Sequence, residues 1–433
     1  MTMAADKQDK VLNFSSEREQ SRACSSSAER EKNQGKNFLN VPNLRFPEFT
    51  DEWKICKVGD YGKIITGSTP PTSDNTNYAG GTQLWATPVD LGQTKFVTDT
   101  QTKLSSIGFS KTRKLPVGSV LVTCIGSTIG KMGMTATEMS TNQQINSIVV
   151  DSQYDNHFVY YALQSRFPRY LTSVAVQAVP IMSKSSFEKL QNYRTTFKEQ
   201  KKIGALLNLI DERISTQIRI IDKLKSLMKG LNDYLQNSVP LSYSLSFSDI
   251  GEDYSGLSGK SAEDFGSGKP YITYVSIYAN CFVDDDSCGK VSVERGEKQN
   301  VVQKGDMLFT LSSETPEEVC YGAVYSGNST ETYLNSFCFG IRNTEGKVFS
   351  PYMAYFFNSN RFRREVYPLA QGSTRFNLQK SDFLQKQFSY PSIDDQHRIF
   401  KILNAYDNKL KVENQILAHY QHQKEFLLRN LFI

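Results

Sequence analysis

A seven-residue repeat of apolar side chains constrains the fold of this chain more than any other feature. Across residues 197–236, two series of positions seven residues apart alternate at spacings of three and four. One series is Ile203, Ile210, Gln217, Leu224 and Leu231, and the other is Leu207, Ile214, Ile221, Met228 and Leu235. These are the a and d positions of a coiled-coil heptad, so the segment is predicted to be one long helix of about 60 Å.

The same pattern returns at the carboxyl end, shifted by 196 positions. Gln217 maps onto Glu413, so both helices have a polar residue at one d position, where a buried polar group sets the register at some cost in stability. Seven pairs are identical: Gln200/Gln396, Ile203/Ile399, Leu207/Leu403, Asn208/Asn404, Asp211/Asp407, Leu231/Leu427 and Leu235/Leu431. The chain is therefore interpreted as a tandem duplication.

Each long helix follows a segment of mixed character. Short strand-like runs, such as residues 118–125 and 146–150, alternate with Gly, Pro, Asn and Asp, and residues 158–171 have a helical pattern. Residues 116–123 also resemble residues 303–310. This mixture is typical of an α+β fold. We therefore predict two globular domains separated by two long α-helices, which pack as an antiparallel coiled coil in a pseudo-twofold tandem repeat.

The predicted domain boundaries follow from these patterns. Residues 1–40 are polar and patternless and are expected to form a flexible tail, since they have little apolar surface to bury. The remaining predicted parts are a first globular domain at 41–196, a helix at 197–236, a second globular domain at 237–392 and a second helix at 393–433.

Composition narrows the classes of protein that this chain can be. Hydrophobic residues make up 39% of it and charged residues 22%, which is neither a disordered nor a fibrous composition. No run of 18 apolar residues occurs, so no membrane span or membrane partner is expected. The seven cysteines are odd in number and lack a Cys-x-x-Cys motif, which indicates a reducing, cytoplasmic location rather than a disulfide framework.

Motifs that carry chemistry are weak in this sequence. The glycines of Gly126-Ser-Thr-Ile-Gly130-Lys131 are separated by three residues instead of the four of a phosphate-binding loop, and Met132 stands where Ser or Thr would bind magnesium. His419 and His422 lie three residues apart, but no carboxylate or cysteine joins them as a metal ligand. We expect no catalytic residue, no metal site and no cofactor bound by this chain.

The charge is distributed unevenly between the two repeats. Residues 53–240 contain 22 Lys and Arg against 13 Asp and Glu, a net charge of +9, whereas residues 241–433 contain 20 against 23, a net charge of −3. Because phosphate contacts depend on Lys and Arg, the first repeat is the better candidate for intrinsic electrostatic binding of DNA.

Several segments together resemble a known family. They are residues 40–49 and 52–54 at the entry, 118–123 and 125–127 in the first repeat, 254–260, 305–318, 334–340 and 370–377 in the second repeat, and the helix starts at 198–203 and 394–399. With these segments, residues 40–433 resemble the DNA-specificity subunit of type I restriction-modification systems.

The resemblance implies a function. Each globular unit would be a target-recognition domain that reads one half of a split double-stranded DNA site, and the helices would dock two methyltransferase (modification) subunits. S-adenosylmethionine, ATP and magnesium would be bound by partner subunits, among them an ATP-dependent restriction subunit. Two alternatives stay open at this point: a non-enzymatic two-headed adaptor with a coiled-coil rod, and an enzyme such as a nuclease fused to helices.

Candidate residues follow for both kinds of contact. Arg pairs well with guanine, and Asn or Gln pairs well with adenine. The candidates for contact with DNA are Thr69, Lys111, Arg113, Lys114, Lys131, Gln143 and Gln144 in the first repeat and Ser313, Thr374 and Arg375 in the second. The candidates for helix packing are Ile203, Leu207, Ile210, Ile214, Ile221, Leu224, Ile399, Leu403, Leu410 and Leu417.

Overall fold

The computed structural model describes residues 40–172 and 180–433. The flexible tail predicted for residues 1–40 lies outside the described residues, apart from Asn40. The chain divides into two compact units: unit 1 is Met1–Asp211 with Gln423–Ile433, and unit 2 is Glu212–His422. Along the described residues, no helix combines the length and the apolar character needed to cross a membrane. The domain boundaries proposed from the sequence stay predictions.

A five-stranded sheet forms the centre of unit 1. Its strands are β2 (Gly62–Thr66), β4 (Phe96–Val97), β6 (Val120–Thr123), β7 (Met132–Thr135) and β9 (Ile145–Val150), in the order β2-β9-β6-β7-β4. The edge strand β4 runs parallel to β7, and the other pairs are antiparallel. Strand β6 is buried along its whole length, which agrees with its uninterrupted run of Val and Leu.

Among the described residues, two smaller sheets and three α-helices complete the globular part of unit 1. A three-stranded sheet has the order β5-β3-β8, and a two-stranded sheet pairs β1 with β10. These strands are β1 (Lys54–Lys57), β3 (Gln83–Ala86), β5 (Lys103–Leu104), β8 (Ser140–Thr141) and β10 (Gln191–Arg194). The helices are α1 (Ser106–Ser110), α2 (Asn156–Leu171) and α3 (Lys184–Lys189).

Unit 2 repeats this arrangement. Its five-stranded sheet has the order β12-β20-β16-β18-β14, its three-stranded sheet the order β15-β13-β19, and β11 pairs with β23. These strands are β11 (Leu241–Leu245), β12 (Glu252–Ser255), β13 (Phe265–Ile272), β14 (Phe282–Val283), β15 (Cys288–Val291), β16 (Met307–Thr310), β18 (Gly322–Tyr325), β19 (Tyr333–Leu334), β20 (Cys338–Arg342) and β23 (Phe388–Pro391).

Unit 2 has one further sheet, with the order β17-β22-β21. Its strands are β17 (Ser312–Ser313), β21 (Ala370–Gln371) and β22 (Phe376–Leu378). In unit 1 an isolated bridge between Ile125 and Ile181 takes the place of the β17–β22 pair. The short helices of unit 2 are α5 (Phe247–Ile250), α6 (Tyr274–Ala279), α7 (Ser350–Phe356), α8 (Asn360–Val366) and α9 (Lys380–Gln385), so α7 and α8 together correspond to α2.

The correspondence extends to the sense of each strand pair and to single hydrogen bonds. The edge strands β4 and β14 are both parallel to their neighbours. The N–H of Met134 donates to the carbonyl of Lys95 (2.7 Å), and the N–H of Val324 donates to that of Cys281 (2.9 Å). Positions 95 and 281 are therefore equivalent, and the predicted tandem duplication is confirmed.

The long helices are α4 (Phe197–Ser238) and α10 (Ile393–Asn430). Within unit 2, Gln217 of α4 contacts Glu413 of α10, while Leu231 packs against the buried cluster that contains Ile399 and Leu403 of α10, so the two helices run antiparallel, as predicted. Among the residues proposed for helix packing, those buried are Ile203, Leu207, Ile210, Ile221, Leu224, Ile399 and Leu403, and those half-buried are Ile214, Leu410 and Leu417.

Candidate nucleic-acid interface

Three of the proposed DNA-binding residues of unit 1 meet where β2 ends and β9 begins. The hydroxyl of Thr69 donates to Oε1 of Gln143, and both side chains are exposed. The neighbouring Gln144 is held by Asn142, whose Oδ1 accepts the N–H of Gln144 (3.1 Å) and whose Nδ2 donates to its Oε1 (2.9 Å). Two loops that are distant in sequence therefore present amide and hydroxyl groups on one surface.

Arg113 joins the same surface. Its guanidinium donates to the carbonyl of Thr66 (2.7 Å), and its N–H donates to Oγ of Ser68 (3.1 Å). The side chain is exposed, so the guanidinium keeps donors for a ligand while one of them braces the loop after β2. We call Thr69, Arg113, Gln143 and Gln144 the unit 1 loop cluster.

The three lysines proposed for unit 1 are placed differently from one another. Lys111 donates to Oδ1 of Asn77 (2.8 Å) and pairs with Asp74 (3.2 Å). Hydrogen bonds from Thr76 and then from Lys111 lower the pKa of the Asp74 carboxyl, so the ammonium of Lys111 faces a carboxylate. Lys114 is exposed, and its ammonium lies 5.1 Å from the centre of the Phe109 ring. Lys114 is therefore the freer of the two for a phosphate.

Lys131 lies at the far end of the loop that carries the glycines of the phosphate-loop-like motif. That loop joins β6 to β7 as a hairpin: the N–H of Thr123 donates to the carbonyl of Lys131, and the N–H of Gly130 donates to that of Thr123, both at 2.9 Å. A phosphate-binding loop instead joins a strand to a helix. The Lys131 side chain is exposed and runs beside Gly92.

The candidates of unit 2 lie on and beside its extra sheet. Thr374 and Arg375 are exposed in the turn before β22, and the Arg375 guanidinium lies 5.5 Å from the centre of the Phe337 ring. Ser313 pairs with Phe376 across the β17–β22 ladder; it is only 8% exposed, and its hydroxyl donates to Glu318 (3.0 Å). Ser313 thus supports this surface, whereas Thr374 and Arg375 are presented to solvent.

Phe337 is a residue that sequence reasoning missed. Its N–H donates to Oδ1 of Asn335 (2.9 Å), as that of Gln144 donates to Asn142, so Phe337 occupies the position of Gln144. The ring is 55% exposed and lies beside the Arg375 guanidinium, so the two side chains share one surface. The shared Asn, two residues ahead, is the sequence signal. We call Phe337, Thr374 and Arg375 the unit 2 loop cluster.

Asn300 was also missed. Its Nδ2 donates to the carbonyl of Ser255 (2.9 Å) at the end of β12, as Arg113 does to Thr66 at the end of β2. The offset that aligns residues 116–123 with 303–310 places Asn300 opposite Arg113. The hydrogen bond that braces the loop is kept in unit 2, but the positive charge of Arg113 is lost.

Within residues 40–172 and 180–433, no group of three or more His, Cys, Asp or Glu side chains is placed to hold a metal ion.

Comparisons with known proteins agree with this duplicated architecture. The family model Methylase_S, the type I restriction modification DNA specificity domain, matches residues 50–226 and again 248–419. The HindI specificity subunit of Haemophilus influenzae is 32% identical over 182 residues, which is 39% of each chain. The MjaVIII specificity subunit of Methanocaldococcus jannaschii is 22% identical over 425 residues, 91% of this chain and 95% of that protein.

Solved structures are similar over nearly the whole chain. The type I restriction-modification S subunit from M. genitalium has a TM-score of 0.53 at 17% identity, covering 91% of this chain and 99% of its own. A structure concerned with complex assembly and conformational transition of the type I R-M system has a TM-score of 0.56 at 13% identity, with coverages of 89% and 98%. At these identities the similarity shows the shared fold.

Proposed function

This chain belongs to the family of type I restriction-modification DNA specificity subunits, and on that premise we propose that its two units read the two halves of a split double-stranded DNA target. The observation that carries this proposal is the contrast between the units. Their sheets have the same strand order and the same strand senses, whereas the side chains of their loop clusters differ in chemistry. A shared scaffold with unlike surface residues fits two recognition modules that read unlike sequences.

The chemistry of each loop cluster favours different bases. The unit 1 loop cluster has two amides, of which Gln143 is exposed, beside the Arg113 guanidinium, which donates to the carbonyl of Thr66 (2.7 Å); amide side chains pair best with adenine in the major groove. The unit 2 loop cluster offers the guanidinium of Arg375 and the ring of Phe337. Arg pairs best with guanine, and an exposed ring can contact a thymine methyl group. We therefore infer that the half-site of unit 2 contains a G·C pair.

Catalysis belongs to partner subunits in this proposal. Two modification subunits, with S-adenosylmethionine, would dock on the long helices, and a restriction subunit would bring ATP and magnesium. Helix α4 supports docking, because Ile220, Leu227 and Tyr234 recur at seven-residue spacing outside the a and d series and are 40%, 53% and 67% exposed. Exposed apolar side chains in a row are typical of a surface that another protein covers.

Methylome sequencing tests the proposed function directly. The chain and its cognate modification subunit are expressed together, and each is expressed alone, in a host that lacks DNA methylation. We expect one split motif, which appears only when both subunits are present. The Arg375→Gln variant should change the motif in one half alone, and Gln143→Ala in the other half alone. A contiguous motif, or methylation by the modification subunit alone, would contradict the proposal.

A further inference from the structure

Two lysines of unit 1 lie beside the amino-terminal half of α4. Lys95 precedes β4 and is buried, and Lys424 of α10 is half-buried. Nζ of Lys95 donates to Oδ1 of Asn208 (2.8 Å) and to the hydroxyl of Tyr161 (3.0 Å), and lies 4.5 Å from the centre of the Tyr161 ring. Lys424 pairs with Asp211 (2.7 Å), whose other carboxylate oxygen accepts the Tyr161 hydroxyl (2.5 Å). Two ammonium groups therefore fill the space beside this tyrosine.

Unit 2 keeps the receiving groups but has neither lysine. Tyr355, Asn404 and Asp407 repeat Tyr161, Asn208 and Asp211, whereas Cys281 stands at the position of Lys95 and Met228 at that of Lys424. Burial raises the pKa of the Cys281 thiol to about 12, so the thiol is neutral and does not replace an ammonium group.

A cavity of about 430 Å³ lies at this place in unit 2, and Met228, Cys281 and Tyr355 are among its lining residues. The Tyr355 side chain is only 3% exposed, yet its hydroxyl has no hydrogen-bond partner. A buried hydroxyl without a partner costs free energy unless a ligand supplies one. After burial itself, the Asp407 carboxylate raises the pKa of Tyr355; the same carboxylate pairs with the exposed Lys411 (3.7 Å).

Three charged residues line the cavity, namely Arg363, Lys229 and Glu317. The Arg363 guanidinium donates to the carbonyls of Glu317 (2.6 Å), Val319 (2.7 Å) and Cys320 (2.7 Å) and lies 4.6 Å from the centre of the Tyr321 ring. Three of the five N–H donors of the guanidinium are therefore committed to the backbone, and its positive charge stays on the cavity wall beside Tyr321. Lys229 and Glu317, one residue of each charge, are both exposed in the lining.

We propose that this cavity is a binding site for a primary alkylammonium group, the chemistry that Lys95 and Lys424 supply within unit 1. The Tyr355 hydroxyl accepts a hydrogen bond from the ammonium group, the Tyr355 ring provides cation–π contact, and Asp407, the equivalent of Asp211, supplies the counter-charge. The alkyl chain packs against Met228 and Leu403, which line the cavity. The natural source is either a free amine or a lysine of a partner protein.

Titration of the full-length chain with n-butylammonium, followed by calorimetry, tests the site. We expect saturable binding with a stoichiometry of one, and none with n-butanol, which has the same length but no charge. Met228→Lys supplies a tethered ammonium group at the position of Lys424 and should abolish the binding, whereas Met228→Leu should preserve it. Equal binding of n-butanol, no saturable binding of n-butylammonium, or unchanged binding by Met228→Lys would overturn the proposal.

Tyr355→Phe provides a second test that does not depend on a large change in the fold. The hydroxyl makes no hydrogen bond in the free chain, so removing it relieves a buried unpaired group, and the variant should melt at a temperature no lower than that of the parent chain. Its affinity for n-butylammonium should fall about ten-fold, the effect of one hydrogen bond to a charged group. An affinity that stays the same would remove Tyr355 from the site and overturn the proposed geometry.

Competition distinguishes the two sources of the ammonium group, and only this arm depends on the proposed function. If the cognate modification subunit displaces n-butylammonium, and Met228→Lys weakens its docking, the source is a lysine of that subunit. If n-butylammonium stays bound beside the docked subunit, the source is a free amine. Failure of the subunit to bind at all would contradict the proposed function and leave the titration result unchanged.

Discussion

At the scale of single residues, each long helix is joined to the globular part of its unit by one glutamine, Gln200 in α4 and Gln396 in α10. Oε1 of Gln200 accepts the N–H of Asp155 (3.0 Å), and Oε1 of Gln396 accepts that of Phe349 (2.8 Å). Their Nε2 atoms donate to the carbonyls of Thr195 (2.7 Å) and Pro391 (3.0 Å). Both glutamines are buried, so their identity in the two repeats has a structural cause.

Replacing one of these glutamines should destabilise its unit. Gln396→Ala leaves a backbone N–H and a carbonyl without their partners, at a cost of about 1–3 kcal/mol. Chemical denaturation followed by circular dichroism measures this loss. Gln421→Ala is the matched control, because Gln421 is exposed on the same helix and the change should stay within about 0.5 kcal/mol. Equal losses from both variants would show that the buried hydrogen bonds contribute nothing.

The polar pair at the equivalent d positions is a second feature of residue scale. Nε2 of Gln217 donates to Oε2 of Glu413 (2.6 Å) and to its backbone carbonyl (3.0 Å), and Gln217 is 6% exposed. Gln217→Leu removes the donor from a half-buried carboxylate and should cost about 1–3 kcal/mol. The double variant Gln217→Leu, Glu413→Leu should recover that loss, since a well-packed apolar pair needs no partner. Additive losses in a double-mutant cycle would contradict coupling between the two residues.

At the scale of elements, local patterns could be predicted from the sequence and distant pairings could not. The helix predicted at residues 197–236 is α4, Phe197–Ser238, because heptad periodicity is a local signal. The strand order β2-β9-β6-β7-β4 joins segments that are distant in sequence, and no local pattern encodes it. For the same reason sequence reasoning missed the pairing of Lys111 with Asp74 and the burial of Ser313 against Glu318.

The turns that enter β6 and β16 allow a matched test of backbone conformation. Gly118 and Gly305 are equivalent, with φ of 81° and 91°, in the left-handed region that favours glycine. A Cβ at Gly305 would have no atom closer than 3.8 Å, so it would not clash. Gly305→Ala should therefore lower the free energy of unfolding by about 1–2 kcal/mol, from the backbone conformation alone. At Gly118 the Cβ would lie 2.2 Å from Nδ2 of Asn156.

Gly118→Ala should therefore destabilise the chain more than Gly305→Ala does. The Asn156 amide has to move, and its hydrogen bond to the Gly118 carbonyl (2.8 Å) is lost with that movement. Thermal denaturation of the two variants, side by side, measures the difference. Equal melting temperatures would mean that the Asn156 side chain adjusts without cost.

At the scale of the whole molecule, the two repeats divide the work of binding DNA unequally. Residues 53–240 have a net charge of +9, whereas residues 241–433 have −3. Counterion release by Lys and Arg provides the part of DNA affinity that does not depend on sequence. The first repeat should therefore supply most of the salt-dependent affinity, and the second repeat should contribute more through base contacts such as that proposed for Arg375.

Single substitutions in the complex assembled with the modification subunit separate these two contributions. Lys114→Gln should weaken binding to every sequence and lower the slope of log affinity against log salt by about 0.9, the effect of one lost phosphate contact. Arg375→Gln should relax discrimination at one base pair by about 1–3 kcal/mol. Fluorescence anisotropy across a salt series, with the methylated motif and single-base variants of it, measures both effects.

Lys189→Gln is the control for the loss of a positive charge. Lys189 lies with Lys63 near the start of β2, whereas the unit 1 loop cluster follows the end of that strand, so this change should leave the slope unaltered. A slope that falls equally for Lys114→Gln and Lys189→Gln would show that DNA responds to the total charge of the first repeat. In that case the loop surface would not be the contact, and the base preferences inferred from it would lose their support.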